Sequence, residues 1–347
     1  MDGNRKIKIL NIVLLVLNLI LIGLNVYKTF ISDNIKKPGK TAVEYIKELY
    51  DDASRRAANG LKKDNTSDEN IRYEGANPNN YVLFNDELWR IIGVFEGNIK
   101  LIRSEELGQL SWDSSDFIIN FGLGVNEWSQ ADLKEYLNTM YYGGMNVTCY
   151  GNKGNATTTC PTGNLNLTAK SMIDYHMWNI GIIGYFRNSK PNQITVALYN
   201  DERGTSNDEV CSGGPYCNDG ITRTTTWQGY VALPYATDWA YASSEIACAT
   251  NINDGYDAAN DNKFDNMTCK KNNWMHHGSN DSEAIWMLSP FAHSADGRFA
   301  WAVFGDGHTS IGNASDPFSV FPSLYLKSDV KISSGSGTSG DPYILEL

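Results

Sequence analysis

Six cysteines are the residues of this chain with the most obvious chemistry, and they fall into three pairs of near neighbours. The stretches inside the pairs are polar and rich in Gly, Asn and Thr. We predict three local disulfides, because each would close a short loop, although six cysteines allow other pairings. The predicted pairs are Cys149 with Cys160, Cys211 with Cys217, and Cys248 with Cys269.

A zinc site is the competing interpretation of these cysteines. Structural zinc sites commonly use CxxC pairs, and this chain has no CxxC. Its five histidines do not complete a ligand pattern near the cysteines. Disulfides persist in oxidising surroundings, so the part of the chain that carries the cysteines is predicted to lie outside the cell.

An Asp- and Asn-rich stretch at residues 251–266 is the one candidate for a metal site, and the metal would be calcium. Carboxylate and amide oxygens are the ligands that calcium prefers. The spacing differs from that of an EF-hand, and Lys263 in the middle would repel a cation, so a solvated loop is the favoured alternative. The candidate ligands are Asp254, Asp257, Asn260, Asp261 and Asp265.

Several aromatic residues beside polar loops are the candidates for ligand binding. Their rings could stack on sugars or on peptide side chains, while neighbouring polar groups supply directed hydrogen bonds. The alternative is that they belong to the core, as Trp89, Trp128, Trp178 and Trp286 do in their apolar surroundings. The candidates are Trp239, Tyr241, Trp274, His276, Trp301 and His308.

The chain shows no catalytic signature. It contains no G-x-S-x-G, no H-E-x-x-H and no Gly-rich phosphate loop. His276 and His277 with Glu283 could suggest a metal, but adjacent residues of an extended segment point to opposite faces. We therefore expect a protein that is not an enzyme and that has no cofactor other than the calcium considered above.

The element that positions everything else is an apolar run at residues 9–31, which follows Arg5, Lys6 and Lys8. Its length suits one transmembrane helix. A cleavable signal peptide is the alternative, but the run has no small-residue cleavage site. We predict a single-pass signal anchor in the cell membrane, with residues 1–8 as a cytoplasmic tail and the rest of the chain outside.

Three asparagines interrupt the apolar run at seven-residue spacing, at Asn11, Asn18 and Asn25. This spacing places them on one face of a helix. Amides in hydrocarbon gain by pairing with each other, so the anchor is a candidate for self-association into a homo-oligomer. The alternative is that each amide finds backbone or headgroup partners.

Charge separates the two ends of the chain. Residues 1–63 carry 12 Lys and Arg against 6 Asp and Glu, whereas residues 64–347 carry 17 against 34. An acidic head disfavours nucleic acid and polyanionic glycans, since both need clustered cations. Neutral sugars, cationic peptides and divalent cations remain as partners, and we expect a glycan or protein ligand at the cell surface.

The pattern after the anchor predicts a helix and then a β-rich head. Residues 41–59 have apolar positions at spacings of three and four, with a Thr41–Glu44 capping box and Gly60 as a stop. Residues 32–63 are predicted to form a juxtamembrane stalk, and packing of this helix on the head is the alternative.

The head, residues 64–347, is predicted to begin with two hairpins, formed by YVLF, LWRIIGVF and IKLIRSEEL. A later strand is predicted at QITVALYN, among others. Helices are predicted in SQADLKEYLNTMYY and LTAKSMIDYHMWN.

Seven stretches resemble a family of surface proteins of low-GC Gram-positive bacteria and their wall-less relatives. They are residues 71–108, SWDSSD at 111–116, VNEWSQADLKEYLN at 125–138, WQGYVALPYATDWAYAS at 227–243, WMLSP at 286–290, PSLYLKSDVKI at 322–332 and GSGTSGDPYILEL at 335–347.

The resemblance implies a head of C-type-lectin-like or formylglycine-generating-enzyme-like fold with a loop-rich ligand face. The chain departs from the family pattern at Phe321, where the family usually has Arg. The expected fold class is therefore α+β, with an N-terminal transmembrane helix and a loop-rich, mostly antiparallel β head with a few helices. The expected function is binding or adhesion at the cell surface. A structural subunit of an oligomeric surface assembly is the alternative, and a cell-wall-modifying enzyme is third.

Overall fold

The computed structural model describes most of the chain from residue 39 onward, together with part of the apolar run. The chain divides into two compact units, Met1–Lys40 and Thr41–Leu347. The described residues are 17–18, 20–22, 39–115, 124–151, 159–184, 195–204, 221–250, 270–277, 283–292, 297–305, 307 and 309–347.

In the first unit, the described residues of the apolar run are helical. The side chains of Leu17, Ile20, Leu21 and Ile22 are exposed, and so is Asn18. Among the residues described, no helix combines the length and the apolar character needed to cross a membrane. The rest of the predicted anchor, including Asn11 and Asn25, lies outside the described residues.

The second unit is α+β, as the sequence predicted. Its described helices are α1 (Ala42–Asp51), α2 (Ala53–Asn59), α3 (Asp132–Glu135), α4 (Leu167–Met172), α5 (Thr195–Glu202), α6 (Ala236–Tyr241) and α7 (Ile246–Thr250). A 3₁₀ turn at Trp128–Gln130 precedes α3, and a π-helix at Tyr136–Tyr142 continues it. The helix predicted in SQADLKEYLNTMYY is thus present in three short pieces.

Strands form most of the second unit. The first ten are β1 (Leu61–Lys63), β2 (Ile71–Tyr73), β3 (Tyr81–Phe84), β4 (Glu87–Phe95), β5 (Asn98–Arg103), β6 (Gln109–Leu110), β7 (His176–Asn179), β8 (Ile183–Gly184), β9 (Thr226–Gly229) and β10 (Val231–Ala232). The others described are β11 (Ala284–Ala292), β12 (Phe299–Phe304), β13 (Thr309–Asn313), β14 (Phe318–Ser319), β15 (Ser323–Tyr325), β16 (Lys331–Ser334) and β17 (Tyr343–Glu346).

The larger sheet runs in the order β10-β15-β5-β4-β3-β17-β16, with β2 and then β1 joined to β4. Adjacent strands of this sheet are antiparallel, except that β17 lies parallel to β3. The predicted hairpins β3–β4 and β4–β5 are present, and their turns place Asn85, Asp86 and Glu96 at positive φ. The larger sheet therefore joins the beginning of the second unit to its end.

The smaller sheet is mixed. Its order is β13-β12-β11-β14-β6, and β8 pairs with β11. The central strand β11 is antiparallel to β12 but parallel to β14 and β8. Strands β7 and β9 form a separate antiparallel pair.

Helix α1 packs within the second unit. Thr41 caps it by accepting a hydrogen bond from the Glu44 backbone N–H (3.2 Å), and the Glu44 carboxylate accepts one from the Thr41 N–H (2.9 Å). This is the predicted capping box, and Gly60 ends α2 in a left-handed conformation as predicted. The apolar face of α1 packs against β1, β5 and β16 and buries Ile46 completely.

The prediction of a strand at QITVALYN is wrong, because the structure has helix α5 there. Its buried side chains include Thr195, Leu198, Tyr199 and Glu202, which follow helical spacing. The β-branched residues suggested a strand, but packing of one helical face overrides that local preference.

The helix predicted in LTAKSMIDYHMWN ends early, since α4 stops at Met172 and His176–Asn179 forms β7. The Asn166 side chain caps α4 by accepting from the Ala169 N–H at 2.8 Å.

One predicted disulfide is confirmed, between Cys149 and Cys160. Cys248 is also in a disulfide, and its predicted partner Cys269 lies outside the described residues, as do Cys211 and Cys217. Phe321 is buried in the core and stacks on the His277 ring, with 4.4 Å between ring centroids.

We expect Ile46→Ala to lower the free energy of unfolding of the head by about 2–5 kcal/mol, because it leaves a cavity between α1 and the sheet. Lys47→Ala is the matched control, since Lys47 is exposed on the same helix. Urea denaturation of the purified chain, followed by tryptophan fluorescence, measures both. Equal stability of the two variants would contradict the packing of α1 on the sheet.

Candidate functional site

The structure buries the four aromatic residues that the sequence suggested as ligand platforms. Trp239, Tyr241, Trp274 and Trp301 are each at most 5% exposed. All residues of α6, which carries Trp239 and Tyr241, are buried, and Trp301 lies inside β12. The exposure inferred from the polar neighbours is therefore wrong for these rings, because each belongs to the buried core or to a buried face of its helix or strand.

Of the other predicted ligand and metal residues, the described part of the chain includes His276. His276 is partly buried, whereas His308 lies outside the described residues. Within the described part of the chain, no group of three or more His, Cys, Asp or Glu is placed to hold a metal ion. The candidate calcium ligands lie outside the described residues as well, at Asp254, Asp257, Asp261 and Asp265.

The structure instead brings together charged side chains that sequence reasoning had left aside. We call Asp64, Arg72, Lys100 and Asp238 the buried charge cluster. Each is at most 6% exposed, although they come from distant parts of the chain. Charged groups are rarely buried without a partner, because removal from water costs several kcal/mol per ion.

Arg72 on β2 is the bridge of the cluster. Its Nε donates to Asp64 Oδ2 at 2.6 Å, and its Nη1 donates to Asp238 Oδ1 at 2.8 Å. Asp64 also accepts from the backbone N–H and the side chain of Asn70, at 3.1 and 3.0 Å. One guanidinium therefore ties the segment after β1 to helix α6.

Lys100 lies opposite Arg72 on the same carboxylate. Its Nζ donates to Asp238 Oδ2 at 2.5 Å, and this oxygen also accepts from the Tyr235 backbone N–H at 3.0 Å. The ammonium faces four aromatic rings. The distances from Nζ to the ring centroids are 4.0 Å for Tyr235, 5.2 Å for Trp178, 5.4 Å for Tyr325 and 5.8 Å for Phe95.

Burial and charge pairing shift the pKa values of the buried charge cluster in opposite directions. Burial raises the pKa of the Asp238 carboxyl, but the facing Lys100 and Arg72 more than offset this and hold that pKa below its ordinary value. Burial lowers the pKa of Lys100 to about 8, against the opposing effect of Asp238. Asp238 is therefore a carboxylate at neutral pH, and the Lys100 ammonium loses its proton more readily than an exposed lysine does.

Glu202 is a second buried carboxyl group, at the end of α5. It accepts from the Thr237 N–H and from the Ser289 hydroxyl, both at 3.1 Å, and from the Thr237 hydroxyl. These contacts join α5 to α6 and to β11. Burial raises the pKa of Glu202 to about 7, because the nearby Arg203 only partly offsets it.

An aromatic and polar layer covers the cluster on the side of α5. The Arg203 guanidinium lies 3.2 Å from the centroid of the Tyr199 ring, and the Tyr199 hydroxyl donates to Asp68 at 2.6 Å. The Arg72 guanidinium lies 4.7 Å from the Tyr241 ring centroid. Tyr241 thus contributes to this region through the face of its ring, although not as an exposed ligand platform.

A signal for this cluster exists in the sequence. Lys100 interrupts the apolar strand NIKLIR, Arg72 lies within IRY, and Asp238 lies within the apolar helix ATDWAY. A charged residue inside an apolar run needs a buried partner of opposite charge. The sequence could have suggested that such partners exist, but not which residue pairs with which.

The chemistry available to the cluster is that of a dry, enclosed site. A primary amine, a carboxylate and a guanidinium meet at one point, surrounded by rings and by buried hydrogen-bond donors. Such a site can exchange protons and form bonds between its own side chains, and it has no exposed face for a large ligand.

Comparison of the chain with protein-family models, with curated proteins and with solved structures gave no match.

We expect Glu202→Gln to remove a pH-dependent part of the stability. The folded-state pKa of about 7 is above the ordinary 4.5, so the folded state holds this proton more tightly. The resulting stabilisation is complete below about pH 4.5 and is lost as the pH rises through about 7, by at most about 3 kcal/mol. Gln mimics the protonated carboxyl, so the variant lacks this loss. The measurement is the difference between the two stability curves from pH 4 to 8, because titration of the histidines cancels in that difference. Parallel curves would show that Glu202 does not titrate in this range.

Proposed function

We propose that this chain is a membrane-anchored protein of a bacterial cell surface, whose head lies outside the cell and binds a glycan or protein ligand. The observation that carries the proposal is the occurrence, in one chain, of an exposed apolar helical segment and a disulfide-bonded head. An exposed apolar segment is stable in a nonpolar environment such as a bilayer, and disulfides persist in an oxidising environment.

The apolar segment supports the anchor. Leu17, Ile20, Leu21 and Ile22 are 52–59% exposed in a helical stretch. Exposure of apolar surface to water costs about 25 cal/mol per Å², so a run of such side chains is strongly favoured in a bilayer. The basic residues Arg5, Lys6 and Lys8 before the run favour a cytoplasmic N-terminus.

The cysteines support an extracellular head. Cys149 and Cys160 are bonded, Cys248 is bonded as well, and no free cysteine is present among the described residues. Disulfides are rare in reducing cytoplasm. Because the bonded cysteines follow the apolar run in sequence, an anchor with its N-terminus inside places them outside.

The arrangement of the head supports a binding role. Two sheets share a buried core rich in aromatic residues. We place the proposed ligand surface in the polar stretches of residues 205–226, 250–282 and 291–320, the last of which also contains strands β12, β13 and β14. Loops on a rigid framework are the usual position of binding surfaces. The mixed sheets are in keeping with a C-type-lectin-like head, which we include in the proposal on the basis of the sequence resemblance.

A structural subunit of an oligomeric surface assembly is the second candidate. Asn18 is exposed on the helical stretch of the apolar run, as a helix-to-helix amide contact requires. In that case the anchor drives assembly, and the head packs against neighbouring heads.

We expect the wild-type chain to sediment with membranes in an alkaline wash and to be labelled by a membrane-impermeant amine reagent on intact cells. The double change Leu17→Glu with Leu21→Glu moves the chain to the soluble fraction, because buried carboxylates oppose insertion. Leu167→Glu is the matched control, since Leu167 is 85% exposed in the head, and this variant stays in the membrane. A soluble wild-type chain, or a double variant that remains inserted, contradicts the anchor.

Two experiments on the membranes that contain the wild-type chain distinguish the two candidate functions. A cross-linked oligomer that is lost when Asn11, Asn18 and Asn25 are changed to Leu supports the structural subunit. Binding of the detergent-purified chain to particular members of a glycan and surface-protein panel supports the ligand-binding protein. The absence of specific binding in that panel contradicts the binding role and leaves the location unaffected.

A further inference from the structure

Lys100 and Asp238 meet under conditions that favour a covalent bond between their side chains. We propose that Lys100 Nζ and Asp238 Cγ condense into an intramolecular amide, which cross-links strand β5 to helix α6. The cross-link would join residues 138 positions apart in the sequence. It concerns the construction of the head and is independent of the ligand that the head binds.

The geometry places the reacting groups in contact. Nζ lies 2.5 Å from Asp238 Oδ2, and the side chains of Lys100 and Asp238 are 0% and 1% exposed. An amine held against a carboxyl group by the fold needs no encounter step, and such positioning supplies a large part of the barrier reduction in intramolecular reactions.

The pair is buried and enclosed by aromatic rings. The rings of Tyr235, Trp178, Tyr325 and Phe95 lie within 5.8 Å of Nζ. Amide formation releases water, and hydrolysis of the amide consumes it. A site that excludes water therefore favours condensation and protects the product.

Two neighbouring donors are placed to assist the reaction. Arg72 Nη1 donates to Asp238 Oδ1 at 2.8 Å, so it faces the oxygen on which negative charge develops when nitrogen attacks the carboxyl carbon. The Tyr235 backbone N–H holds the other oxygen, Oδ2, at 3.0 Å. One oxygen is therefore held as the carbonyl oxygen and the other as the leaving oxygen.

The reaction balances without a further reactant. A proton passes from the Lys100 ammonium to Asp238 Oδ2, which leaves a neutral amine and a carboxylic acid. The nitrogen lone pair attacks Cγ, and the C=O electrons move to Oδ1 beside Arg72. Oδ2 takes a second proton from nitrogen, the Cγ–Oδ2 bond breaks, and water leaves. The ion pair becomes a neutral amide and one water.

Energetics favour the neutral product in this position. A buried ion pair retains a desolvation cost that its mutual attraction repays only in part. The amide removes the Lys100 and Asp238 charges, and Arg72 keeps its ion pair with Asp64. The cross-link also restricts the unfolded chain, as a disulfide between distant residues does.

This pair differs from the other lysine–carboxylate pairs of the described residues. In those pairs at least one partner has a side chain 41% exposed or more: Lys62–Glu74, Lys63–Glu69 and Lys134–Glu135. Their groups stay hydrated and are free to separate, so they serve as internal controls for a reaction that depends on enclosure.

The test is mass spectrometry of the full chain after denaturation and complete reduction of its disulfides. The expected mass is lower than that of the sequence by one water. Trypsin is expected not to cleave after Lys100, and the digest is expected to contain a branched peptide that joins the segments carrying Lys100 and Asp238. The peptides with Lys63 and Glu69 are expected to be linear.

Lys100→Arg keeps the positive charge but removes the amine, so this variant is expected to show the full sequence mass, whereas Lys63→Arg keeps the loss of water. The digest of the wild-type chain decides the question even if Lys100→Arg does not fold. A wild-type mass equal to that of the sequence, with cleavage after Lys100, overturns the proposal. A water loss confined to a single linear segment, as in a cyclic imide at an Asp, also overturns it.

Discussion

The Asp238 carboxylate, held between the Arg72 guanidinium and the Lys100 ammonium, is the interaction on which the interior of this protein depends. The three groups are at most 2% exposed, so none of them has water as an alternative partner. The buried Asp238 charge is compensated by Lys100 and Arg72, and Arg72 is paired with Asp64 as well. The fold must therefore bring β2, β5 and α6 to one point, and this requirement restricts how the larger sheet and its helices can be arranged.

The rest of the head is organised around that point. Arg72 extends the cluster to Asp64 and so fixes the segment after β1, while Glu202 connects α5 with α6 and, through Ser289, with β11 of the smaller sheet. Covalent closure of Lys100 onto Asp238 would make this junction permanent. A permanent junction would suit the extracellular binding role that we propose, because proteolysis acts on proteins outside the cell.

Local patterns in the sequence predicted the parts of the fold that local forces determine. The hairpins β3–β4 and β4–β5 follow from alternating apolar runs, and α1 follows from its capping box and apolar spacing. Helix α5 was missed because Thr195 and Val196 favour strands locally, whereas contacts with distant residues decide its conformation. The burial of Trp239 and Trp301, and the pairing of Arg72 with Asp238, depend on residues far apart in sequence, so no local pattern could reveal them. The sequence did contain one signal for these buried charges, which is a charged residue within an apolar run. It indicates that a buried partner of opposite charge exists, but not which residue that partner is.

The central claim is that Arg72 holds Asp64 and Asp238 together in the interior of the head, and its removal tests this most directly. Arg72→Met keeps most of the volume and the apolar contacts of the side chain but leaves the Asp64 carboxylate, and Asp238 Oδ1 in its carboxylate or its amide form, without that cation. Equilibrium urea denaturation is predicted to show a loss of about 3–5 kcal/mol in the free energy of unfolding. A loss below about 1 kcal/mol, the size typical of a surface ion pair, would contradict the account.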